Sequence, residues 1–298
     1  MMRLTKSTKS NKLFSMSHQP TPMSQSPTNY LTIDVEDYFQ VAAFEDIIQP
    51  ESWVSMDFRA ENNTDCILNI LDQHQVKATF FIVGWIAEKC PELVKKIAAA
   101  GHEVGCHSYW HRKIYDLTPE EFHEDTKRAK GILEEIVDRK ILGYRAPSYS
   151  ITKKSLWALD ILEELGFKYD SSIFPIYHDN YGIPDAPRFE YQLPNHDMKE
   201  YPISTSLIMG RKIPVAGGGY FRLFPYWFTK IALKRINFQE NQPFIFYLHP
   251  WEIDPEQPRM QNAKRLSKFR HYNNLHKTIE RFAKLLKDFD FGPIGLRE

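Results

Sequence analysis

Short apolar runs alternate along the chain with longer stretches in which apolar residues recur three and four positions apart. The short runs are typical of buried strands, and the longer stretches are typical of amphipathic helices. Strands are predicted at residues 30–35, 78–83, 102–104, 141–144, 167–169 and 243–248. Helices are predicted through residues 66–71, 85–97, 118–137, 152–165 and 262–289. This alternation predicts a parallel sheet with helices outside it, hence an α/β barrel or a doubly wound sheet.

Local signals predict where some of these helices begin and end. The run Thr118-Pro119-Glu120-Glu121 combines a Thr cap, Pro at the first helical position and Glu at the third, which predicts a helix start. Asn63 or Thr64 can cap the helix through residues 66–71. Gly166 is expected to end the helix at residues 152–165.

The chain divides into three regions by composition. Residues 1–29 are rich in Ser, Lys, Thr, Pro and Met with little to bury, which predicts a disordered leader. Residues 30–298 are expected to form one domain. Within it, residues 174–222 break the strand–helix rhythm and predict an inserted loop and hairpin region that shapes substrate binding. Residues 252–298 are expected to form a C-terminal extension that is largely helical, its charges forming a solvated face.

Composition and charge exclude several classes of protein. The apolar share of 42% and charged share of 26% are ordinary for a globular protein. The formal net charge is zero, so nucleic-acid or membrane-surface binding is not indicated as the main activity. Three widely spaced cysteines give no disulfide framework, which favours a reducing, cytoplasmic location. No apolar run approaches the ~20 residues that span a bilayer.

Ionisable residues follow most of the predicted strands. These residues are Asp34, Glu36, Asp37, His107, Arg145, Asp170 and His249. The carboxyl ends of parallel strands meet at one edge of a sheet, so we expect these side chains to converge in one cleft. Asp170 is interpreted as part of a turn or cap. His107 and His111 are four residues apart and, with a carboxylate, would form a site suited to Zn²⁺ or a similar divalent ion.

Four of these segments resemble motifs of the polysaccharide deacetylases of the NodB-homology type, carbohydrate esterase family 4. They are Thr32-Ile33-Asp34, His107-Ser108-Tyr109-Trp110-His111, Gly143-Tyr144-Arg145-Ala146-Pro147-Ser148-Tyr149 and Leu248-His249-Pro250. They occur in the order of the family and span residues 30–251. The resemblance implies a distorted (β/α) barrel and a bound divalent metal.

The resemblance also implies a role for each matching residue. Asp34 would be the general base and His249 the general acid. Arg145 would orient the base, and the backbone N–H of Tyr149 would help to hold the oxyanion. Leu248 would line the pocket for the acetyl group, and His107 and His111 would bind the metal.

The first motif departs from the family pattern because Val35 stands where an Asp ligand is usual. Glu36 or Asp37 must then supply the carboxylate. Side chains alternate in an extended strand, which favours Glu36, on the same side as Asp34. Asp37 would serve if the strand ended at Val35 and the chain turned.

The family's Asp-x-x-x-Trp motif is not evident, and Arg222 is a candidate for its counterpart. Arg222, Tyr220 and Trp251 are also candidates for contacts with sugar rings. The sequences around Asp34, Arg222 and Trp251 resemble the subgroup encoded in exopolysaccharide gene clusters, which carries a C-terminal extension.

The sequence therefore predicts a metal-dependent hydrolase that removes N-acetyl groups from a bacterial polysaccharide or its lipid-linked precursor. Zinc is the expected metal, with Co, Ni, Fe or Mn as alternatives. Two other functions stay open, a cyclic-imide or allantoin-type amidohydrolase and a catalytically dead carbohydrate-binding protein. The expected partner is an N-acetylated oligo- or polysaccharide, and the oligomeric state is left open.

Overall fold

The computed structural model of the protein describes residues 27–178 and 181–295. Most of the leader predicted at residues 1–29 therefore lies outside the described residues, although Asn29 already belongs to the first strand. None of the helices within the described ranges is long and apolar enough to cross a membrane.

The strands of the described residues form one large curled sheet and one separate hairpin. They are β1 Asn29–Val35, β2 Thr79–Ile82, β3 Glu103–Cys106, β4 Gly143–Tyr144, β5 Tyr169–Asp170, β6 Tyr191–Gln192, β7 Lys199–Glu200, β8 Thr205–Ile208, β9 Arg211–Pro214, β10 Ile245–Leu248 and β11 Phe291–Gly292. The sheet has the order β10-β1-β2-β3-β4-β5-β7-β6, with β11 beside β1, and β8 and β9 form the hairpin. Strands β10 through β7 are parallel along this path and only β6 is antiparallel, as expected for an α/β fold.

Helices lie between the strands along the chain. They are α1 Ala60–Gln73, α2 Gly84–Lys89, α3 Pro91–Ala99, α4 Pro119–Val137, α5 Ala158–Glu164, α6 Gly218–Leu223, α7 Tyr226–Gln239, α8 Arg265–Tyr272 and α9 Thr278–Asp288. Short 3₁₀ turns are found at Ala42–Phe44, Pro50–Ser55, Ile114–Asp116, Pro147–Tyr149, Pro250–Ile253 and Leu275–Lys277.

The sheet is buried on both faces, which explains why its strands are apolar runs. The two faces can be followed along β10. Phe246 and Leu248 belong to the large core cluster that includes the buried residues of the helices. Ile245 and Tyr247 point the other way, into a smaller and largely aromatic cluster. The predicted α/β class and distorted barrel are confirmed.

Most predicted strands are confirmed, but several helix predictions are wrong in detail. The helix predicted through residues 85–97 is two helices, because Pro91 cannot continue the first and instead begins the second. Helix α1 begins at Ala60 rather than beside Asn63 or Thr64. Helix α7 was not predicted.

Residues 174–222 contribute to the main sheet, which an inserted loop region would not do. They contain the β8–β9 hairpin as predicted, but β7 pairs with β5 inside the main sheet. Helix α6 follows Gly217, whose φ of 134° is open mainly to glycine. A Cβ at Gly217 would lie 2.1 Å from the carbonyl oxygen of Tyr247, so the glycine is required for α6 to approach β10.

The predicted start of α4 is confirmed as a capping box. The Thr118 Oγ1 accepts a hydrogen bond from the backbone N–H of Glu121 at 3.2 Å, and the Glu121 carboxylate accepts one from the backbone N–H of Thr118 at 2.8 Å. Two N–H groups that have no partner inside the helix are satisfied in this way.

We expect Thr118→Ala to lower the free energy of unfolding by about 1 kcal/mol, because the cap hydroxyl is lost while the buried core is unchanged. Thr118→Ser keeps the hydroxyl and serves as the matched control. Urea unfolding of both variants measures the difference. Equal stability of the two variants would contradict a contribution from the cap.

Candidate active site

The loops after β1, β3, β4 and β10 enclose a cavity of about 210 Å³. Seven of the residues predicted for the site line it, namely Asp34, Glu36, His107, His111, Tyr149, His249 and Trp251. The predicted convergence at one edge of the sheet is thus what the structure shows for these side chains.

The loop that carries the two histidines is held from below by helix α4. The Asp125 carboxylate accepts hydrogen bonds from the backbone N–H groups of Tyr109 and Trp110, at 2.7 and 3.1 Å. The hydroxyl groups of Ser108 and Tyr144 lie 2.6 Å apart. These contacts fix the backbone between the two imidazoles, so the spacing of the pair does not depend on a bound ion.

Four residues of the cavity loops adopt the left-handed backbone conformation that favours glycine. They are Ser108, His111, Ser148 and Tyr149, with φ between 53° and 60°. Such residues cost on the order of 1 kcal/mol or more each, and they persist only where surrounding contacts hold them. Their concentration in two loops is typical of a functional site.

Arg145 lies beneath the cavity and is completely buried. Its Nη1 donates to Asp34 Oδ1 at 2.6 Å and to Thr32 Oγ1 at 2.7 Å. Its Nε and Nη2 donate to the carbonyl oxygen and the hydroxyl of Ser171, at 3.0 and 2.7 Å. The guanidinium therefore fixes one carboxylate oxygen of Asp34 and leaves Oδ2 toward the cavity, 3.9 Å from His249 Nε2.

Glu36, His107 and His111 form the one cluster among the described residues that could hold a metal ion. Each offers one ligand atom, and these atoms lie within 4.8 Å of one another. Glu36 Oε2 is 2.6 Å from His111 Nε2. Burial works against ionisation of Glu36, but the imidazoles of His111, His249 and His107 outweigh it and hold the pKa of Glu36 well below its usual range.

The donor atoms of this cluster fit a divalent ion. Glu36 Oε2 is buried and, apart from its 2.6 Å approach to His111 Nε2, has no hydrogen-bond partner among the described residues. The Nδ1–H of His107 donates to the Arg145 carbonyl oxygen at 2.7 Å, so the lone pair of its Nε2 is free. Burial lowers the pKa of His107 to about 4, which keeps the ring neutral. One carboxylate and two imidazoles are a donor set suited to zinc.

The structure does not place Asp37 in this cluster, so the alternative that Asp37 supplies the carboxylate ligand is corrected. Its carboxylate accepts hydrogen bonds from the backbone N–H groups of Tyr38, Arg59 and Ala60, at 2.8, 2.7 and 2.8 Å. Asp37 therefore caps the start of α1 from a distant part of the chain. This long-range cap also explains why the helix begins before Thr64.

His249 is held from behind by Glu252, which the sequence analysis did not identify as a site residue. The Nδ1–H of His249 donates to Glu252 Oε1 at 2.6 Å. Burial works against protonation of His249, but the carboxylates of Glu36, Glu252 and Asp34 raise its pKa to about 9. In the sequence, the spacing of three residues between His249 and Glu252 is the feature that could have indicated this contact.

Arg222 does not line the cavity, so its assignment to substrate binding is corrected. It is buried, and its Nε donates to Glu252 Oε2 at 2.6 Å. Its other nitrogens donate to the carbonyl oxygens of Arg270, His271 and Asn273 at the end of α8. Burial would raise the pKa of Glu252, but Arg222 and His249 lower it to about 2.

Trp251 reaches the cavity but does not present an open face to a sugar. Its ring is stacked between His249 and His271, at centroid distances of 5.2 and 4.2 Å. Its indole N–H donates to Glu36 Oε1 at 3.0 Å. The expected stacking on substrate is corrected to a role in positioning Glu36 and His249.

Leu248 points away from the cavity, because successive side chains of β10 face opposite sides of the sheet. Tyr247 and His249 are two residues apart, and both line the cavity. The residue of β10 that lines the cavity beside His249 is therefore Tyr247. Counting two positions back from His249 would have found it.

The backbone N–H of Tyr149 donates to the carbonyl oxygen of Ala146 at 3.1 Å. It is engaged within the loop, and this corrects its expected role as a free donor for an oxyanion. The Tyr149 ring instead lines the cavity and packs edge-on against Tyr247, with centroids 5.2 Å apart.

A larger cavity of about 540 Å³ adjoins the first. The two share Ala42, Ala43, Ser148, Tyr181 and Tyr247 as lining residues. Tyr220 lines the larger cavity, so it is placed where a bound oligosaccharide could reach it. One wall comes from α6 and α8, so the C-terminal part of the chain shapes the approach to the site.

Comparison with known protein families divides the chain into two parts. Residues 44–169 match the family model of polysaccharide deacetylases. The chain carries a polysaccharide deacetylase domain. Residues 171–296 match a domain of unknown function, DUF3473. The deacetylase match contains His107, His111 and Arg145, whereas His249 and Glu252 lie in the second match.

Curated relatives agree with this assignment, and one solved structure has the same fold. A peptidoglycan-N-acetylglucosamine deacetylase of Bacillus cereus is 37% identical over 98 residues, which are 33% of this chain and 36% of the relative. A chitooligosaccharide deacetylase of Bradyrhizobium is 30% identical over 99 residues, 33% of this chain and 43% of the relative. The matches thus span about two fifths of these relatives. A crystal structure described as a Mycobacterium smegmatis polysaccharide deacetylase has the same fold, with a TM-score of 0.57 at 18% identity over 92% of this chain and 89% of that one.

We expect Glu36→Gln to weaken metal binding about tenfold or more, because it removes the charged donor of the cluster. Asp37→Asn should keep the affinity of the parent chain and lower the free energy of unfolding by about 2 kcal/mol, because buried N–H groups lose acceptors. Competition with a chelating dye measures affinity, and urea unfolding measures stability. The reverse pattern, with loss of affinity in Asp37→Asn alone, would assign the ligand to Asp37.

Proposed function

We propose that this protein is a metal-dependent deacetylase that hydrolyses N-acetyl groups on amino sugars of a bacterial polysaccharide or its lipid-linked precursor. The observation that carries the proposal is that Asp34 and His249 line one cavity, 3.9 Å apart, beside Glu36 and the two histidines. A proton acceptor, a proton donor and a metal-ligand set are the groups that amide hydrolysis needs.

Glu36, His107 and His111 would hold the ion, for which we propose zinc, with Co, Ni, Fe or Mn suited to the same donors. When bound, the ion would polarise the acetyl carbonyl group and lower the pKa of water. Asp34 Oδ2 faces the cavity and would accept the proton of the attacking water. Arg145 holds the other oxygen of Asp34, so the base keeps one orientation.

His249 is arranged to donate a proton to the leaving amine. Its Nδ1–H donates a hydrogen bond to Glu252. The second proton of the imidazolium therefore sits on Nε2, which points toward Asp34 and Glu36. A raised pKa of about 9 favours the doubly protonated ring at neutral pH, the form that an acid requires. The amide C–N bond then breaks to give acetate and the free amine.

A polymeric substrate is consistent with a cavity of about 540 Å³ that adjoins the site and could receive further sugar units. The decisive assay measures acetate release from N-acetylated chito-oligosaccharides and peptidoglycan, and in parallel the opening of cyclic amides and allantoin. Acetate release supports the proposal. Turnover of cyclic amides alone would indicate an amidohydrolase, and absence of both activities in the metal-loaded protein would favour a dead carbohydrate-binding protein.

We expect His249→Ala to lower kcat about a hundredfold to ten-thousandfold, the usual range for loss of a general acid, with metal content unchanged. His276→Ala, at an exposed histidine outside the site, is the control. Steady-state kinetics and metal analysis of the purified variants test this. Loss of metal from His249→Ala would make His249 a ligand instead.

We expect Glu252→Gln to shift the alkaline limb of kcat to lower pH by about one unit or more. A carboxylate beside His249 stabilises the imidazolium, so its removal lowers the pKa of His249 and the acid form is lost at a lower pH. Glu256→Gln, at an exposed position of the same segment, should leave the profile unchanged. An unshifted limb in Glu252→Gln would show that Glu252 has only a packing role.

A further inference from the structure

Helix α7 is apolar on two opposite sides, and only one of them is packed. Ala232, Leu233 and Ile236 are buried against the rest of the protein. On the other side, Trp227, Ile231 and Phe238 are 63%, 62% and 62% exposed. Exposed apolar side chains are ordinary when scattered singly, but a row of three large ones on one helix marks an interaction surface.

These exposed side chains and the neighbouring cations lie along one stripe of the helix. Residues three, four and seven positions apart share a helical face, so Trp227, Ile231, Lys234, Arg235 and Phe238 are neighbours on it. We call these five residues the α7 outer face. Lys234 and Arg235 are exposed and make no ion pair among the described residues. The 14 residues of α7 contain no Asp or Glu.

We propose that the α7 outer face docks the protein on an anionic lipid bilayer, with the helix lying in the interface. Trp and Phe beside Lys and Arg are the side chains that interfacial helices place at the level of the headgroups. The apolar residues would enter the boundary of the acyl chains, and Lys234 and Arg235 would contact anionic headgroups. The neutral net charge of the whole chain conceals this local basic patch.

Charge favours a bilayer over two other occupants. In a symmetric dimer the same face would meet itself and bring Lys234 and Arg235 close to like charges. The predicted leader, residues 1–29, ends close to α7, because Asn29 and Asn237 exchange side-chain hydrogen bonds. The leader carries four basic residues and no acidic ones, so it would be repelled by the same cations.

The α7 outer face lies one short turn of chain from the larger cavity. Leu223, at the end of α6, lines that cavity and is itself exposed, and Trp227 follows four residues later in the first turn of α7. A substrate anchored in the bilayer would therefore meet the cavity at the edge that contacts lipid. The docking itself does not depend on the chemistry of the site.

The test is flotation of the full-length protein with vesicles of phosphatidylcholine and with vesicles of equal parts phosphatidylcholine and phosphatidylglycerol. We expect binding to the anionic vesicles only. Trp227→Asp combined with Ile231→Asp should abolish it, and Lys234→Glu combined with Arg235→Glu should weaken it about tenfold or more. Val54→Asp, at an apolar residue 73% exposed in the 3₁₀ turn Pro50–Ser55, should bind like the parent chain.

Light scattering of the same samples distinguishes the dimer from the bilayer. Failure of the parent chain to float, or equal flotation of the Trp227→Asp/Ile231→Asp variant, overturns the proposal. A dimer that this variant converts to monomers, without vesicle binding by the parent chain, also overturns it. Acetate release from soluble chito-oligosaccharides should be unchanged in every variant, so failure of the docking surface and failure of the proposed function are separate results.

Discussion

A completely buried guanidinium is the constraint on which the candidate active site depends. Arginine stays charged inside a protein, so each of its nitrogens needs an acceptor there. For Arg145 the acceptors come from Thr32 and Asp34 on β1 and from Ser171 after β5. The Cζ of Arg145 also lies 4.3 Å from the centroid of the Phe81 ring on β2. Strands from both sides of β4 must be in place before this charge is satisfied, and the same bonds orient Asp34.

A second buried guanidinium does the same for the other side of the cavity. Arg222 donates hydrogen bonds to carbonyl oxygens in the last turn of α8, where a helix leaves acceptors without internal partners. Its Nε also donates to the carboxylate of Glu252, with which it forms an ion pair. Glu252 in turn orients His249. The part of the chain matched by the domain of unknown function therefore completes the site instead of lying beside it.

The sequence predicted two kinds of feature correctly. One kind depends only on residues close together in the chain, and the other depends on the common direction of parallel strands. The capping box at Thr118 is local, and the meeting of Asp34 with His249 follows from the shared edge of the sheet. Features decided by distant partners were missed. Asp37 caps a helix more than 20 residues away, the ring of Trp251 is enclosed by a histidine of α8, and α7 has apolar residues on both sides, so its sequence lacks a clear period.

The departure at Val35 is compensated by residues far from it in sequence. Val35 is buried in the core and has no carboxylate, so the carboxylate of the cluster comes from Glu36, one position later. The side chain of Glu36 is one methylene longer than that of the Asp that is usual at position 35. A longer side chain has more rotamers, and it needs a contact to hold it in one of them. Trp251 supplies that contact through its indole N–H on Oε1, and the indole is itself fixed between His249 and His271. The altered first motif and the C-terminal region therefore depend on each other, because Glu36 has a defined position only when that region is folded against the sheet.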